Sequence, residues 1–323
     1  MLISRTPLRI SFAGGGTDLE DYYKTGYGAV TSTAIDRYIY VAVNPKFDDK
    51  IRASYSKTEL VDTVDGLEHG IMREALKLAG VRGGIEIATI ADIPSGGTGL
   101  GSSSSLTVGL LNALLAYKGV TADHAKLAKN ACEIEIEKLK EPIGKQDQYI
   151  ASYGGLRYIR FDRDGSVAVE NVGCSDDVKR KLEQNLMLFY TGVMRKAGSI
   201  LKDQREKIPD RLAALDRMRS QAKEVRDCLM KGNVDGVGRI LQETWELKKS
   251  LAGGISNPEI DGIYEKAIKA GATGGKITGA GGGGFLILYC PAEKQDSVRK
   301  ALKGLKEVKV RFDAEGSRII CRE

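Results

Sequence analysis

The chain has 323 residues, 42% of them hydrophobic, with 49 basic against 43 acidic side chains and a formal charge of +6. A chain of this make-up can bury a substantial core, which excludes disorder as its ground state; the charge excess suits small anionic ligands and falls short of a nucleic-acid footprint. The longest apolar run, Phe285-Leu-Ile-Leu-Tyr-Cys290, is far below the ~18 residues of a membrane-spanning helix. No extended apolar core with a small-residue cleavage site follows Met1, which predicts a cytoplasmic protein. Five separated cysteines without Cys-x-x-Cys, and only His69 and His124, argue against a disulfide framework or a zinc site.

Leu8, Ile10 and Phe12 alternate with Arg9 and Ser11, predicting a half-buried strand over 7–12 with Arg9 and Ser11 on its other face. Next comes Gly14-Gly-Gly-Thr-Asp18, where a carboxylate behind three glycines can accept hydrogen bonds from sugar hydroxyls; Asp18 could equally cap a short helix over 19–23. Strands are predicted at 38–43, 51–54 and 84–93, with a helix over 68–79 between the last two.

The second glycine cluster, Pro94-Ser-Gly-Gly-Thr-Gly-Leu-Gly-Ser-Ser-Ser-Ser105, lies between a strand and a leucine-rich helix that starts near Ser103. Converging amides and the positive end of a helix make a phosphate cradle, and the hydroxyls of residues 102–105 can reach phosphate oxygens or Mg²⁺. No lysine follows Gly101, so this is not a P-loop; a serine-capped helix after a flexible turn is the bland alternative. A helix over 122–140 carries Glu133, Glu135 and Glu137 and is broken at Pro142 and Gly144, which leaves Asp147 just beyond the break. Glu133 and Glu137, four apart, share a helix face that Glu135 does not. Strands at 156–161 and 167–172 flank an Asp-Gly turn, and a boundary near Cys174 divides the chain into 1–173 and 174–323.

The second half opens with a strand at 186–190, followed by helices over 196–207, 211–231 and 234–251 and a further helix after Pro258. A strand at 285–290, a helix over 295–304 and short strands at 308–312 and 318–321 complete an α+β layer. Gly279-Ala-Gly-Gly-Gly-Gly284 satisfies Gly-x-Gly-x-x-Gly, but it precedes a strand instead of opening a helix, so the dinucleotide reading fails on context.

The three glycine loops, in this order, resemble the GHMP kinase family, named for galactokinase, homoserine kinase, mevalonate kinase and phosphomevalonate kinase. Residues 7–18 look like its first motif, 94–104 like its nucleotide motif and 276–285 like its third, so that the resemblance covers the whole chain. It implies an α+β fold in two domains: an N-terminal α+β domain with a left-handed βαβ crossover and a C-terminal ferredoxin-like domain, with ATP between them. The nucleotide would lie on Gly96, Gly97, Thr98, Gly99, Leu100, Gly101, Ser102, Ser103 and Ser104. The acceptor would lie on Gly15, Gly16, Thr17, Asp18, Asp147, Arg195, Gly281 and Gly282.

Counting back from Pro142 to the family's metal-binding glutamate reaches Glu135, which with Ser103 or Ser104 would hold Mg²⁺. Asp147 matches the catalytic aspartate of galactokinase-like members, and Arg9 an arginine beside it that would keep the carboxylate ionised and offset phosphoryl charge. Each also has a plain reading, Asp147 as a helix cap and Arg9 as an exposed strand residue.

The loop Gly-Gly-Gly-Thr-Asp, Pro142-Ile-Gly-Lys-Gln-Asp-Gln-Tyr149 and Thr191-Gly-x-x-Arg-x-Ala197 look most like kinases of D-glycero-D-manno-heptose 7-phosphate. Such an acceptor brings its own phosphate, for which Arg195, with Lys196, is the candidate partner and Lys276 another. The implied activity is ATP-dependent phosphorylation of the anomeric hydroxyl to give the 1,7-bisphosphate. An unphosphorylated sugar such as fucose or galactose, a non-catalytic ATP and sugar sensor, and an ATP-dependent decarboxylase are the rival readings. No oligomeric state is implied.

Overall fold

In the computed structural model, residues 1–94, 97–193 and 197–323 are described. The first part of the chain forms β1 (Leu2–Ala13), the short helix α1 (Glu20–Tyr23), β2 (Tyr27–Pro45), β3 (Ile51–Ser54), β4 (Thr58–Val61), α2 (Gly70–Ala79) and β5 (Ile85–Ala91). Helices α3 (Ser102–Tyr117), α4 (His124–Cys132) and α5 (Gln146–Tyr153) and the hairpin β6 (Leu156–Asp162) with β7 (Val167–Asn171) follow. The second part runs α6 (Asp176–Asn185), β8 (Leu186–Tyr190), α7 (Ala197–Glu206), α8 (Leu212–Met230), α9 (Val234–Lys249) and α10 (Pro258–Lys269). It ends with β9 (Gly274–Ile277), β10 (Phe285–Tyr289), α11 (Gln295–Ala301), β11 (Lys306–Glu307) and β12 (Arg318–Arg322).

The strands form two sheets. The larger has the order β12-β1-β2-β5-β3-β4, with β6 and β7 added beside the first half of β2. Its β3 and β5, joined across β4 and α2, are parallel. The smaller sheet has the antiparallel order β11-β8-β10-β9, the 4-1-3-2 arrangement of a ferredoxin-like layer. No helix among the described residues is long and apolar enough to cross a membrane.

Strand β1 lies centrally, with α3, α5, α8 and α9 packed around it. Leu8, Ile10 and Phe12 are fully buried, as the alternation requires, but Arg9 and Ser11 on the opposite face are buried too. That second face looks into a cleft between the two halves of the molecule and not into solvent.

Several elements differ from the sequence reading for identifiable reasons. Strand β2 is 19 residues long, not six, because its first half is built of small and hydroxyl residues buried on both sides, which carry no alternation. The expected helix over 122–140 is α-helical only to Cys132 and continues as a π-helical turn over Glu133–Lys138. Strand β9 went unrecognised because it opens on two glycines, whose lack of side chains lets α9 approach. A Cβ on Gly274 would stand 2.2 Å from the Gly238 carbonyl oxygen.

Residues 308–312 do not form the expected strand. They run beside β2 through the Asp36–Arg311 backbone bond and a single bridge from Ile35 to Phe312, and the strand sits at Lys306–Glu307 instead. Cys174, where the sequence reading divides the chain, lies between β7 and α6, and the chain returns to the first part later, since β12 pairs with β1 in the larger sheet.

Trp245 on α9 is fully buried in the second core, beside Tyr264. Trp245→Ala is expected to cost about 3–5 kcal/mol of unfolding free energy, checked by urea denaturation followed by far-ultraviolet circular dichroism.

Candidate active site

A cavity of about 320 Å³ opens between the two halves, lined by all three glycine loops together with α5, α7 and α9. At one side the second loop enters α3. Gly97, Gly99 and Gly101 all have positive φ, so the chain turns sharply three times before the helix begins. The start of α3 has no side-chain cap, which leaves its first-turn amides for a ligand, and Ser102, Ser103 and Ser104 line the cavity beside them.

The second and third loops meet backbone to backbone. Thr98 carbonyl oxygen accepts hydrogen bonds from the Phe285 amide and the Thr278 hydroxyl, and a Cβ on Gly99 would lie 2.5 Å from the Thr278 carbonyl oxygen. A Cβ on Gly279 would in turn lie 2.5 Å from the Gly99 Cα. No side chain fits at either position.

Arg9 and Asp147 stand together where these loops converge. The guanidinium donates from Nε to Asp147 Oδ1 at 2.7 Å and from Nη2 to Oδ2 at 2.6 Å, and its Nη1 donates to the Gly99 carbonyl at 2.5 Å. This fork-to-carboxylate geometry is the strong, orientationally fixed kind of ion pair. Arg9 is therefore no exposed strand residue, and Asp147, in the first turn of α5, is a partner of Arg9 and no helix cap. The Asp147 side chain stays 22% exposed, open to the cavity.

Asp18 also lines the cavity, near Asp147. Its carboxylate accepts from the amides of Gly16 at 3.0 Å and Gln146 at 3.2 Å, and the N-cap of α1 is Leu19 instead. Burial and then the nearby charge of Asp147 raise its pKa, with the two amides opposing. Gly144 is obligatory beneath it, since a Cβ there would approach Asp18 Oδ2 to 2.0 Å.

Glu135 is fully buried, while Glu133 and Glu137 point outward from the π-helical turn. Its Oε1 accepts from the Ser103 hydroxyl at 2.6 Å and its Oε2 from Gln148 Nε2 at 2.8 Å. These donors and Ser104 are neutral and only partly offset burial, which raises the Glu135 pKa. A buried carboxylate with neutral partners, joined to a serine oxygen at a phosphate cradle, is a donor set that fits Mg²⁺, which takes few protein oxygens and completes its shell with water and phosphate. Glu135 does not itself line the cavity; it stands behind Ser103.

Among the remaining expected contacts, Gly15, Gly16, Gly97, Thr98, Gly99, Gly101 and Gly281 line the cavity. Three do not. The Thr17 hydroxyl donates to the Gly14 and Ala29 carbonyls and is fully buried, so it braces the first loop instead of facing a ligand. Leu100 points into the core, and its carbonyl accepts the Arg9 amide. Gly282 donates its amide to the Ile255 carbonyl, away from the cavity. Gly96 and Arg195 lie outside the described residues, as does Lys196.

The sequence reading missed Ser11, Gln146, Gln204 and Lys248, all of which line the cavity. Lys248 had a usable signal. It continues the buried stripe of Val237, Leu241, Thr244 and Trp245 along α9, where a lysine has no place in an ordinary core. Its Nζ donates to the carbonyls of Ile277 at 2.8 Å and Gly279 at 2.6 Å, holding the third loop. Lys276 on β9 is 4% exposed at the cavity wall. Burial and then the charge of Arg9 push its pKa down to about 7, and burial, Lys276 and Arg9 push that of Lys248 well down.

Residues 63–155 match the family model described as GHMP kinases N terminal domain, and residues 225–307 that described as GHMP kinases C terminal. Over 317 residues the chain is 30% identical to D-glycero-alpha-D-manno-heptose 7-phosphate kinase of Campylobacter jejuni, covering 93% of this chain and 92% of that one. The chain belongs to the GHMP kinase family. It is accordingly an ATP-dependent kinase with an alcohol acceptor, of the sugar-kinase kind. A crystal structure of a D-glycero-D-manno-heptose 1-phosphate kinase from Bacteroides thetaiotaomicron superposes with a TM-score of 0.83 at 24% identity, covering both chains fully. The Streptococcus pneumoniae phosphomevalonate kinase in complex with phosphomevalonate and AMPPNP shares the GHMP fold with a TM-score of 0.81 at 16% identity, over 97% of this chain and 100% of that one.

The lowered Lys276 pKa makes a prediction for the ligand-free protein. Unfolded, this lysine titrates at its ordinary 10.5 and, folded, at about 7, so the folded state is penalised as pH falls from 10.5 and the penalty levels off below about 7. Lys276→Met should therefore melt above the wild type at pH 7, with a gap that closes as pH approaches 10.5, measured by thermal melts across that range.

Proposed function

We propose that this GHMP kinase transfers the γ-phosphoryl group of ATP to the anomeric hydroxyl of D-glycero-D-manno-heptose 7-phosphate, giving the 1,7-bisphosphate. The observation that carries the chemistry is the Arg9–Asp147 pair at a cavity also lined by an uncapped, serine-rich helix start and by Asp18. The acceptor is supported by the 30% identity, over nearly the full length, to the Campylobacter jejuni heptose 7-phosphate kinase.

In this reading the second loop and the start of α3 hold the nucleotide phosphates, and Asp18 accepts hydrogen bonds from the sugar. Asp147, fixed by the Arg9 fork, takes or orients the proton of the attacking hydroxyl. Arg9 keeps that carboxylate in one orientation and places positive charge beside the developing negative charge of the transfer. Ser103 and Glu135 would hold Mg²⁺, which when bound neutralises charge on the nucleotide phosphates. Arg195 is proposed as the anchor for the phosphate already on the acceptor.

ADP release with Mg·ATP, compared between D-glycero-D-manno-heptose 7-phosphate and unphosphorylated fucose, galactose and mannose at equal concentration, tests the acceptor. Turnover confined to the phosphosugar is expected, and turnover on a free sugar alone would sink the assignment. Asp147→Asn should lower kcat by about 10²–10⁴, the range of a lost proton acceptor, while unchanged turnover would remove Asp147 from the mechanism. Arg195→Ala should raise KM for the phosphosugar and leave KM for ATP unchanged, as read from initial rates.

A further inference from the structure

Three cations crowd one wall of the cavity, and they are not equally occupied. Arg9 is satisfied by Asp147 and the Gly99 carbonyl, and Lys248 by two carbonyls of the third loop. Lys276 is buried at the cavity wall, and among the described residues no carboxylate or carbonyl receives its ammonium group. The charges that act on this pair of lysines are positive, Arg9 on both of them and Lys276 on Lys248, with Asp147 already committed to Arg9. An amine held among cations with no anion of its own is poised for an anion brought by a ligand.

Which anion follows from position. The Gly279 carbonyl that Lys248 grips belongs to the loop packed on Gly99, so the lysines sit where the phosphate loop and the Arg9–Asp147 pair meet. An acceptor that already bears a phosphate carries it at the far end of its carbon chain from the hydroxyl that Asp147 faces. We infer that Lys276 meets the phosphoryl group in transit and is a catalytic residue for its transfer, not the anchor of the acceptor's own phosphate. In that step the acceptor oxygen bonds to the γ-phosphorus, the bond from phosphorus to the bridging oxygen breaks with its electron pair leaving on ADP, and the hydroxyl proton passes to Asp147. Lys276 supplies positive charge to the oxygens of the moving group, and a pKa near 7 lets the arriving phosphate draw it into the charged form.

The inference rests on Asp147 facing the acceptor hydroxyl, and its test separates it from the acceptor assignment by using nucleotide alone. Magnesium complexes of AMPPNP and ADP are titrated calorimetrically into wild type, Lys276→Met and Lys276→Arg. Lys276→Met should lose about tenfold in AMPPNP affinity with ADP affinity unchanged, as expected for one lost charge-assisted contact, and Lys276→Arg should retain the preference. With whichever sugar the wild type turns over, kcat of Lys276→Met should fall about 10²–10³ while KM for the acceptor stays within about threefold. If Lys276→Met binds AMPPNP like wild type, loses both nucleotides equally, or raises acceptor KM at unchanged kcat, the inference is overturned. A wild type inactive on heptose 7-phosphate whose Lys276→Met still loses the AMPPNP preference would overturn the acceptor and leave this role standing.

Discussion

The Arg9 guanidinium ties together three parts of the chain that are distant in sequence. Its backbone belongs to the central strand, its fork holds Asp147 at the start of α5, and its remaining nitrogen holds the carbonyl of Gly99 in the second glycine loop. A planar five-donor group can do this and an ammonium cannot, because the bonds diverge at fixed angles from one rigid plane. With β1 packed among helices from both halves, the Arg9 fork ties the position of Asp147 to a largely buried strand and not only to the loop that precedes α5. A carboxylate needed in one orientation is thereby mounted on the core.

The balance of buried charge around this point explains a second property of the site. Asp18 and Glu135 have raised pKa values and Lys248 and Lys276 lowered ones, every shift being led by burial and pointing toward the neutral form. Such groups detract from the stability of the empty protein, and a core built for stability alone would not contain them. Of these, Asp18, Lys248 and Lys276 line the cavity, which thus offers groups of both signs to a ligand that carries hydroxyls and phosphate.

Much of this was legible in the sequence, because strand alternation and loop composition leave local marks. Residues 7–12, 51–54 and 186–190 read correctly as strands, and the three glycine clusters were recognised as parts of one site. What escaped was set by tertiary packing. Strand β9 is glycine because α9 leans on it, and the first half of β2 is small because both of its faces are covered. The π-helical turn that carries Glu135 inward depends on what surrounds it, and no propensity announces it. Lys248 was hidden in an otherwise regular helix, and Thr17, Leu100 and Gly282 sit within recognisable motifs yet brace the loops instead of lining the cavity. A motif marks a stretch of chain, whereas only the fold decides which of its residues face the ligand.

The return of β12 to the first sheet has a consequence for how this chain is made. Leu2 pairs with Arg322, so one edge of β1 from Leu2 to Arg5 is covered by a strand that comes after the whole of the smaller sheet in the chain. During synthesis that part of the edge remains without its neighbour until the smaller sheet has also left the ribosome. The first part of the chain therefore cannot complete its larger sheet while the rest is still being translated. Until then the start of β1 presents a bare edge on the nascent chain, open to pairing with a strand from another molecule.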